Sequence, residues 1–252
     1  MMTNPSIRAV TFDLWDTVLI DDTDEPKRQA QGLAPKPIAR RNLVHAFLSE
    51  HSPISKETVD TAYDVADAAF RHVWYEQHVT WEVKDRISVL LKGLGRQLPA
   101  EQFDELVRLH EEMEIQISPD LVPGVAEAIR NLHGKYSLVV ISDTIFTPGW
   151  GLRKILEKEN LLQYFDAFIF SDEQGCCKPD RAVFEAAVKA VNVGLTEFVH
   201  IGDREEKDIA GPQNVGGRGI LCTAALDRGS QSTRADAICS NFKDLESILE
   251  SL

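Results

Sequence analysis

Four short apolar runs in this chain lead into polar residues able to do chemistry. The first breaks at Asp13, in Phe12-Asp13-Leu14-Trp15-Asp16-Thr17, and the second at Ser142, in Val140-Ile141-Ser142-Asp143-Thr144. The loop after the third run carries Lys178-Pro179, and the fourth run ends at Gly202-Asp203, with Asp208 shortly beyond. Carboxylates at Asp13 and Asp203 make a hard oxygen site suited to magnesium. A divalent cation there would neutralise a phosphate and let an anionic nucleophile approach it. Asp13 could then attack phosphorus and form an aspartyl-phosphate. Ser142 could donate to a phosphoryl oxygen, and Lys178 could offset charge on nucleophile and phosphate. Singly, each residue has a plainer reading: a turn carboxylate, a strand-end hydroxyl, a solvated lysine, a helix cap.

That chemistry needs elements that bring the run ends together. From Pro123 onward, apolar runs at Ser137–Ile141, Ala167–Phe170, Phe198–Ile201 and Gly219–Leu221 alternate with helical patterns. Alternation of this kind predicts an α/β doubly wound parallel sheet, a Rossmann-like core. In such sheets ligands bind outside the carboxyl ends of the strands, where these polar residues fall. Between the first run and the rest lies a helical stretch. Asp21–Pro37 is polar, holds Pro26, Gly32 and Pro35, and reads as a linker. Apolar stripes at helical spacing follow through Leu43 to Leu48, Val59 to Trp74, Val83 to Leu94 and Phe103 to Met113. The expected division is a core of residues 1–20 and 119–252 with an inserted all-helical cap domain and linkers at 21–118.

In that order, the four run ends resemble the motifs of the haloacid dehalogenase-like hydrolase superfamily, over the whole chain. The helical insert resembles its type-one cap. The resemblance implies that Asp13 is the nucleophile, that Ser142 and Lys178 assist catalysis, and that Ser142, Asp143 and Lys178 contact substrate. It also implies Mg2+ bound by Asp13, Asp203 and the backbone carbonyl of Trp15, with Asp208 supporting the metal or orienting Lys178. One position departs from the pattern. Phosphatases of the superfamily usually carry a second aspartate two residues after the nucleophile, which protonates the leaving oxygen and then activates water. Here that residue is Trp15. A positioned acid-base group contributes roughly 10²–10⁴-fold in rate. Either the substrate has a good leaving group, or Asp16 or Asp143 supplies the proton, or the enzyme is a dehalogenase, which expels halide and needs none. Dehalogenases of the superfamily have an aromatic residue there too, but they neutralise the motif that here keeps Asp203 and Asp208. A catalytically weak phospho-ligand-binding protein is the non-enzyme alternative.

Bulk composition narrows the partners. A formal net charge of -13 argues against a nucleic-acid binder. No apolar run approaches the ~20 residues of a membrane span, and no signal peptide is evident. Cys176, Cys177, Cys222 and Cys239 show no zinc spacing. The expectation is a cytoplasmic monomer or homodimer acting on a small phosphorylated molecule, without nucleic acid or membrane. In the insert, Arg40, Arg41, Trp74, His78, Trp81, Lys84 and Arg86 are candidate specificity residues, and Gly149 and Gly151 flank Trp150 in a loop that could shape the site entrance. His110, on an apolar stripe, reads as a core histidine.

Overall fold

The protein is described by a computed structural model covering residues 6–252. Its elements in chain order are β1 (Ala9–Phe12), β2 (Leu19–Ile20), α1 (Asp24–Ala30), α2 (Lys36–Ser49), α3 (Lys56–Glu76), α4 (Val83–Gly93), α5 (Ala100–Glu111), α6 (Met113–Gln116) and β3 (Asp120–Leu121). They continue as α7 (Val125–Leu132), β4 (Ser137–Ser142), α8 (Gly149–Lys158), β5 (Ala167–Phe170), α9 (Ser171–Gln174), α10 (Arg181–Ala190) and β6 (Phe198–Gly202). After a π-helical turn at Glu205–Ala210 come α11 (Gly211–Asn214), β7 (Arg218–Cys222), β8 (Ala237–Cys239) and α12 (Leu245–Ser251).

Six strands form one sheet in the order β5-β4-β1-β6-β7-β8, and every pairing in it is parallel. A parallel sheet is covered on both faces, which explains why its strands read as unbroken apolar runs. Successive side chains nevertheless point to opposite faces. Val10, Phe12, Leu138, Val140, Val199 and Ile201 pack with α7, α8 and α12 residues such as Ile129, Leu152 and Leu249. Ala9, Val139, Ile141 and Phe198 pack on the other face against Val183, Phe184 and Ala187 of α10. This alternation puts Thr11 of β1 and His200 of β6 on the α10 side, where Thr11 Oγ1 and His200 Nδ1 lie 2.7 Å apart. The expected doubly wound core is therefore present.

Helices α1 to α6 lie between β2 and β3, which pair antiparallel through Leu19 with Leu121 and Ile20 with Asp120. The chain thus leaves and re-joins the sheet domain at one place. The insert has its own apolar cluster, built on Val44, Leu48, Val59, Tyr63, Ile87, Leu90 and Leu106. His110 sits in it fully buried, stacked on Tyr63, with Nδ1 2.8 Å from the Leu106 carbonyl. Burial lowers its pKa to about 4, so it is a neutral core residue, as its apolar stripe suggested.

Asp21–Pro37, expected as a linker, contains the helix α1. A single short helix of this kind is marginal alone. Here tertiary polar contacts hold it. Arg28 donates to the Ala34 carbonyl at 3.0 and 3.2 Å, and the buried Lys36 ammonium pairs with the buried Asp24 carboxylate at 2.7 Å. Such contacts leave no apolar periodicity to read. Gly149, Trp150 and Gly151, expected in a loop, begin α8. A Cβ on Gly149 would run into Phe170, and one on Gly151 into Ile115 and Thr147. The glycines therefore serve close helix packing.

Candidate active site

Beside β1 the chain's direction across the sheet reverses, because β4 and β5 lie on one side and β6, β7 and β8 on the other. The crevice at such a switch point is where open α/β sheets place ligands. Asp13 follows β1 directly, and its N–H donates to the Ile201 carbonyl of β6 at 2.9 Å. Asp203 follows β6. Two carboxylates distant in sequence thus come from adjacent strand ends.

Lys178 reaches the same point from the loop after α9. Its buried Nζ lies 2.8 Å from Asp13 Oδ1 and 2.6 Å from Asp208 Oδ1. Asp208 projects from the π-helical turn, a form enriched at functional sites. The short α11 starts only at Gly211, beyond this turn. Asp208 Oδ2 accepts the Arg204 N–H at 2.9 Å, and His200 Nε2 lies 3.1 Å from Asp208 Oδ1. The turn packs tightly onto the sheet: a Cβ on Gly202 would overlap the Asp208 side chain. Gly202→Ala should therefore cost ~1–3 kcal/mol of stability through overpacking. Chemical denaturation would measure this, and a stability equal to wild type would contradict the geometry.

The three carboxylates of Asp13, Asp203 and Asp208 each offer an oxygen within 4.8 Å of the others. Asp203 Oδ2 is bound by Arg228 Nε, while the buried Asp203 Oδ1 has no hydrogen-bond partner among the described residues, the nearest cation being Arg204 Nε at 3.9 Å. Burial pushes Asp13 up to about 7, against the pull of Lys178 and with Asp208 and Asp203 adding repulsion. Burial also raises Asp203, with Asp208 adding to it. For Asp208 burial acts upward as well, but Lys178 and His200 overcome it and hold the carboxyl well below its usual range. A crowded all-oxygen donor set with one orphaned buried oxygen fits a hard divalent cation.

A test follows from linkage. Between the ordinary carboxylate value of 3.8 and about 7, folded Asp13 keeps a proton that the unfolded chain has lost. Stability of the metal-free protein from this group must fall as pH rises through that window. Asp208 acts oppositely, but only below pH 3.8, where its contribution is lost with acid. Thermal melts in chelator should therefore decline from pH 5 to pH 8, with Asp21 and Glu111, also raised by desolvation, adding to the decline, and added Mg2+ should restore the part of the loss at pH 8 that belongs to Asp13. Melting that ignores both pH and Mg2+ would contradict this account of the centre.

Above these groups lies a cavity of about 320 Å³ between core and insert. Asp13, Lys178, Asp208, Trp15, Asp21, Asp143, Arg40 and Trp74 are among its walls. Asp13, Lys178, Asp203 and Asp208 are thus gathered as the sequence suggested, and Trp15 is on the wall of the same space while packing against the core beneath it. Ser142 is buried at the end of β4, its Oγ 3.5 Å from the Asp143 carbonyl. Asp143 is doubly tied, accepting from the Lys178 N–H at 3.0 Å and from Lys207 Nζ at 2.8 Å. Arg40 is stacked 3.5 Å over Phe146 and paired with Glu114. Arg41 is turned to Asp64 at 2.7 Å and Lys84 to Glu82 at 2.9 Å. Arg86 ties the insert to the core, donating to Asp67 and to the Ile145 carbonyl at 2.8 Å. His200, Thr11, Lys207 and Arg228 escaped sequence reading. His200 looks like one polar residue inside an apolar strand, and Arg228 sits in a loop without periodicity.

The topology of the core thus sets a carboxylate–lysine centre at the switch point of a doubly wound parallel sheet. The family model for haloacid dehalogenase-like hydrolases matches residues 7–216. The chain belongs to that family. Among curated relatives, the glyceraldehyde 3-phosphate phosphatase of Pyrococcus abyssi is 28% identical over 229 residues, covering 83% of this chain and 79% of the relative. A HAD phosphatase from Thermococcus onnurineus superposes with a TM-score of 0.65 at 23% identity, covering 96% of this chain and 98% of that one. The magnesium-bound HAD hydrolase YfnB of Bacillus subtilis gives 0.59 at 21%, over 97% and 99%. A 2-haloacid dehalogenase from Pseudomonas syringae gives 0.62 at 22%, over 97% and 99%. At these identities the solved structures bear on the fold alone. Among the described residues no helix is long and apolar enough to cross a membrane.

Proposed function

We propose that this chain is a Mg2+-dependent phosphatase that hydrolyses a small phosphomonoester through an aspartyl-phosphate on Asp13. The observation that carries the reading is the meeting of Asp13, Asp203 and Asp208 around Lys178 at the switch point. Asp13, Asp203 and the Trp15 carbonyl would hold the ion, supported by Asp208. When bound, Mg2+ supplies charge neutralisation of the phosphoryl oxygens. Asp13 attacks phosphorus, and Lys178 stabilises both the nucleophile as carboxylate and the charge that gathers in the transition state. Ser142 and the backbone at Asp143 orient the phosphoryl group. Asp143's carboxylate itself, tied to Lys207 and the Lys178 amide, positions that loop. Asp208 fixes the Lys178 ammonium.

Residues 21–118 act as a cap that closes over the cavity and excludes water. The free cysteines Cys176, Cys177, Cys222 and Cys239 suit a reducing, cytoplasmic setting. Relatives that are glyceraldehyde 3-phosphate phosphatases put triose phosphates first in a substrate screen. Purified protein should release inorganic phosphate from an aryl phosphate and from one or more small sugar phosphates only with Mg2+. Halide release from 2-haloacids without metal, and no phosphate release, would overturn the reading in favour of a dehalogenase.

A further inference from the structure

Trp15 stands where phosphatases of this family usually keep the carboxylate that protonates the leaving oxygen, so the site needs another donor or has none. The cavity wall holds Asp13, Asp21, Asp22, Glu114, Asp143 and Asp208 as its acids. All but one are committed to a cation. Lys178 holds Asp13 and Asp208, Lys207 holds Asp143 at 2.8 Å, and Lys36 holds Glu114 at 3.2 Å and Asp22 at 3.4 Å. Asp16, the immediate neighbour of Trp15, is bound by Arg228 at 2.6 Å. Asp21 has no ion pair among the described residues. Its Oδ1 accepts the N–H of Asp22 at 2.9 Å.

Asp21 is also well anchored. Asp16 N donates to the Leu19 carbonyl at 2.7 Å, closing the turn that carries Trp15. Asp21 N donates to Asp16 Oδ1 at 3.1 Å, and Arg228 joins Asp16 to Asp203. A continuous set of bonds thus holds the Asp21 backbone to the catalytic rim, one step beyond the Trp15 turn and on the wall of the same cavity.

Resting on the phosphatase reading, we propose that Asp21 is the proton donor and acceptor of this site, in place of the residue lost at Trp15. In the first step the Asp13 oxygen bonds to phosphorus, the bond from phosphorus to the leaving oxygen breaks, and the Asp21 proton passes to that oxygen. In the second, Asp21 as carboxylate takes a proton from water as the water oxygen bonds to phosphorus, and Asp13 leaves as carboxylate. The groups facing Asp21 suit the task. Asp21 keeps an exposed surface, yet the cavity wall around it desolvates its carboxyl, and this and then the Asp22 carboxylate raise its pKa to about 6 against the pull of Lys36, with Glu114 and Asp16 adding repulsion. A group near the working pH serves as both acid and base.

The test is a leaving-group series in the full-length enzyme with Mg2+, using 4-nitrophenyl, phenyl and alkyl phosphates on wild type, Asp21→Asn and Asp21→Glu. Asp21→Asn should lose ~10²-fold or more in kcat/KM on the alkyl phosphate, lose little on 4-nitrophenyl phosphate, and shed the pH dependence near 6. Asp21→Glu should recover much of the alkyl activity. Equal losses on all three substrates, an unchanged alkyl rate, or a wild type that turns over no alkyl phosphate would each overturn the assignment. Failure of the phosphatase reading itself looks different: 4-nitrophenyl phosphate would then go untouched by wild type.

Discussion

Asp13→Asn should abolish phosphate release, lowering kcat by at least ~10³-fold, in line with removal of a nucleophile that acts as a unit with its partners. The amide cannot attack phosphorus as a carboxylate does. The fold should survive, because the substitution is nearly isosteric and removes one of three crowded acids. In chelator at pH 8 the variant should melt no lower than wild type, since the neutral amide escapes the burial, and the added repulsion from Asp208 and Asp203, that disfavour a charge at Asp13. Its melting point should also respond less to Mg2+. A single-turnover assay with acid quench should find phosphate on wild-type protein and none on the variant. Covalent phosphate on the variant would place the nucleophile elsewhere.

Lys178→Met should damage both stability and activity. Lys178 is 2% exposed and its ammonium is shared between Asp13 and Asp208, themselves buried. Burial opposes its charge, yet Asp13 and Asp208 outweigh that and raise its pKa. Removing one partner of a buried ion pair leaves uncompensated charge and costs ~3–5 kcal/mol. Turnover should fall as well, because Asp13 would lose the cation that favours its ionised form. Adding Asp208→Asn should return part of the stability and none of the activity. Additive losses in that double-mutant cycle would show the two groups to be uncoupled. A Lys178→Met protein as stable as wild type would contradict the observed packing.

Sequence reading reached the strands well, since each is a continuous apolar run enclosed by helices. It placed α2 through α5 for the same reason, each carrying a stripe that buries in the insert's own core. It missed α1, held by Arg28 and Lys36 rather than by apolar contacts. It also missed the small β2–β3 ladder, whose two-residue strands are too short for any period to register. The glycines of α8 read as loop residues because their purpose lies in Phe170 and Ile115, far off in sequence.

Of the site, the chemistry-bearing residues were legible because each ends an apolar run: Asp13, Ser142, Asp203, and Lys178 in the next loop. Their partners were not. Arg228 binding Asp16 and Asp203, Lys207 binding Asp143, and His200 beside Asp208 depend on contacts between segments with no shared pattern. The absence of an acid at Trp15 is a plain fact of the chain. Which carboxyl is free to replace it depends on which cations the others have found, and that counting needs three-dimensional neighbours. By itself the sequence determined the parallel sheet, the polar residues at its strand ends and the helical insert, because burial imposes periodicity on the chain. The tertiary structure alone decided which charges pair and which remain unpaired, because electrostatic partners are set by distance in space and leave no period behind.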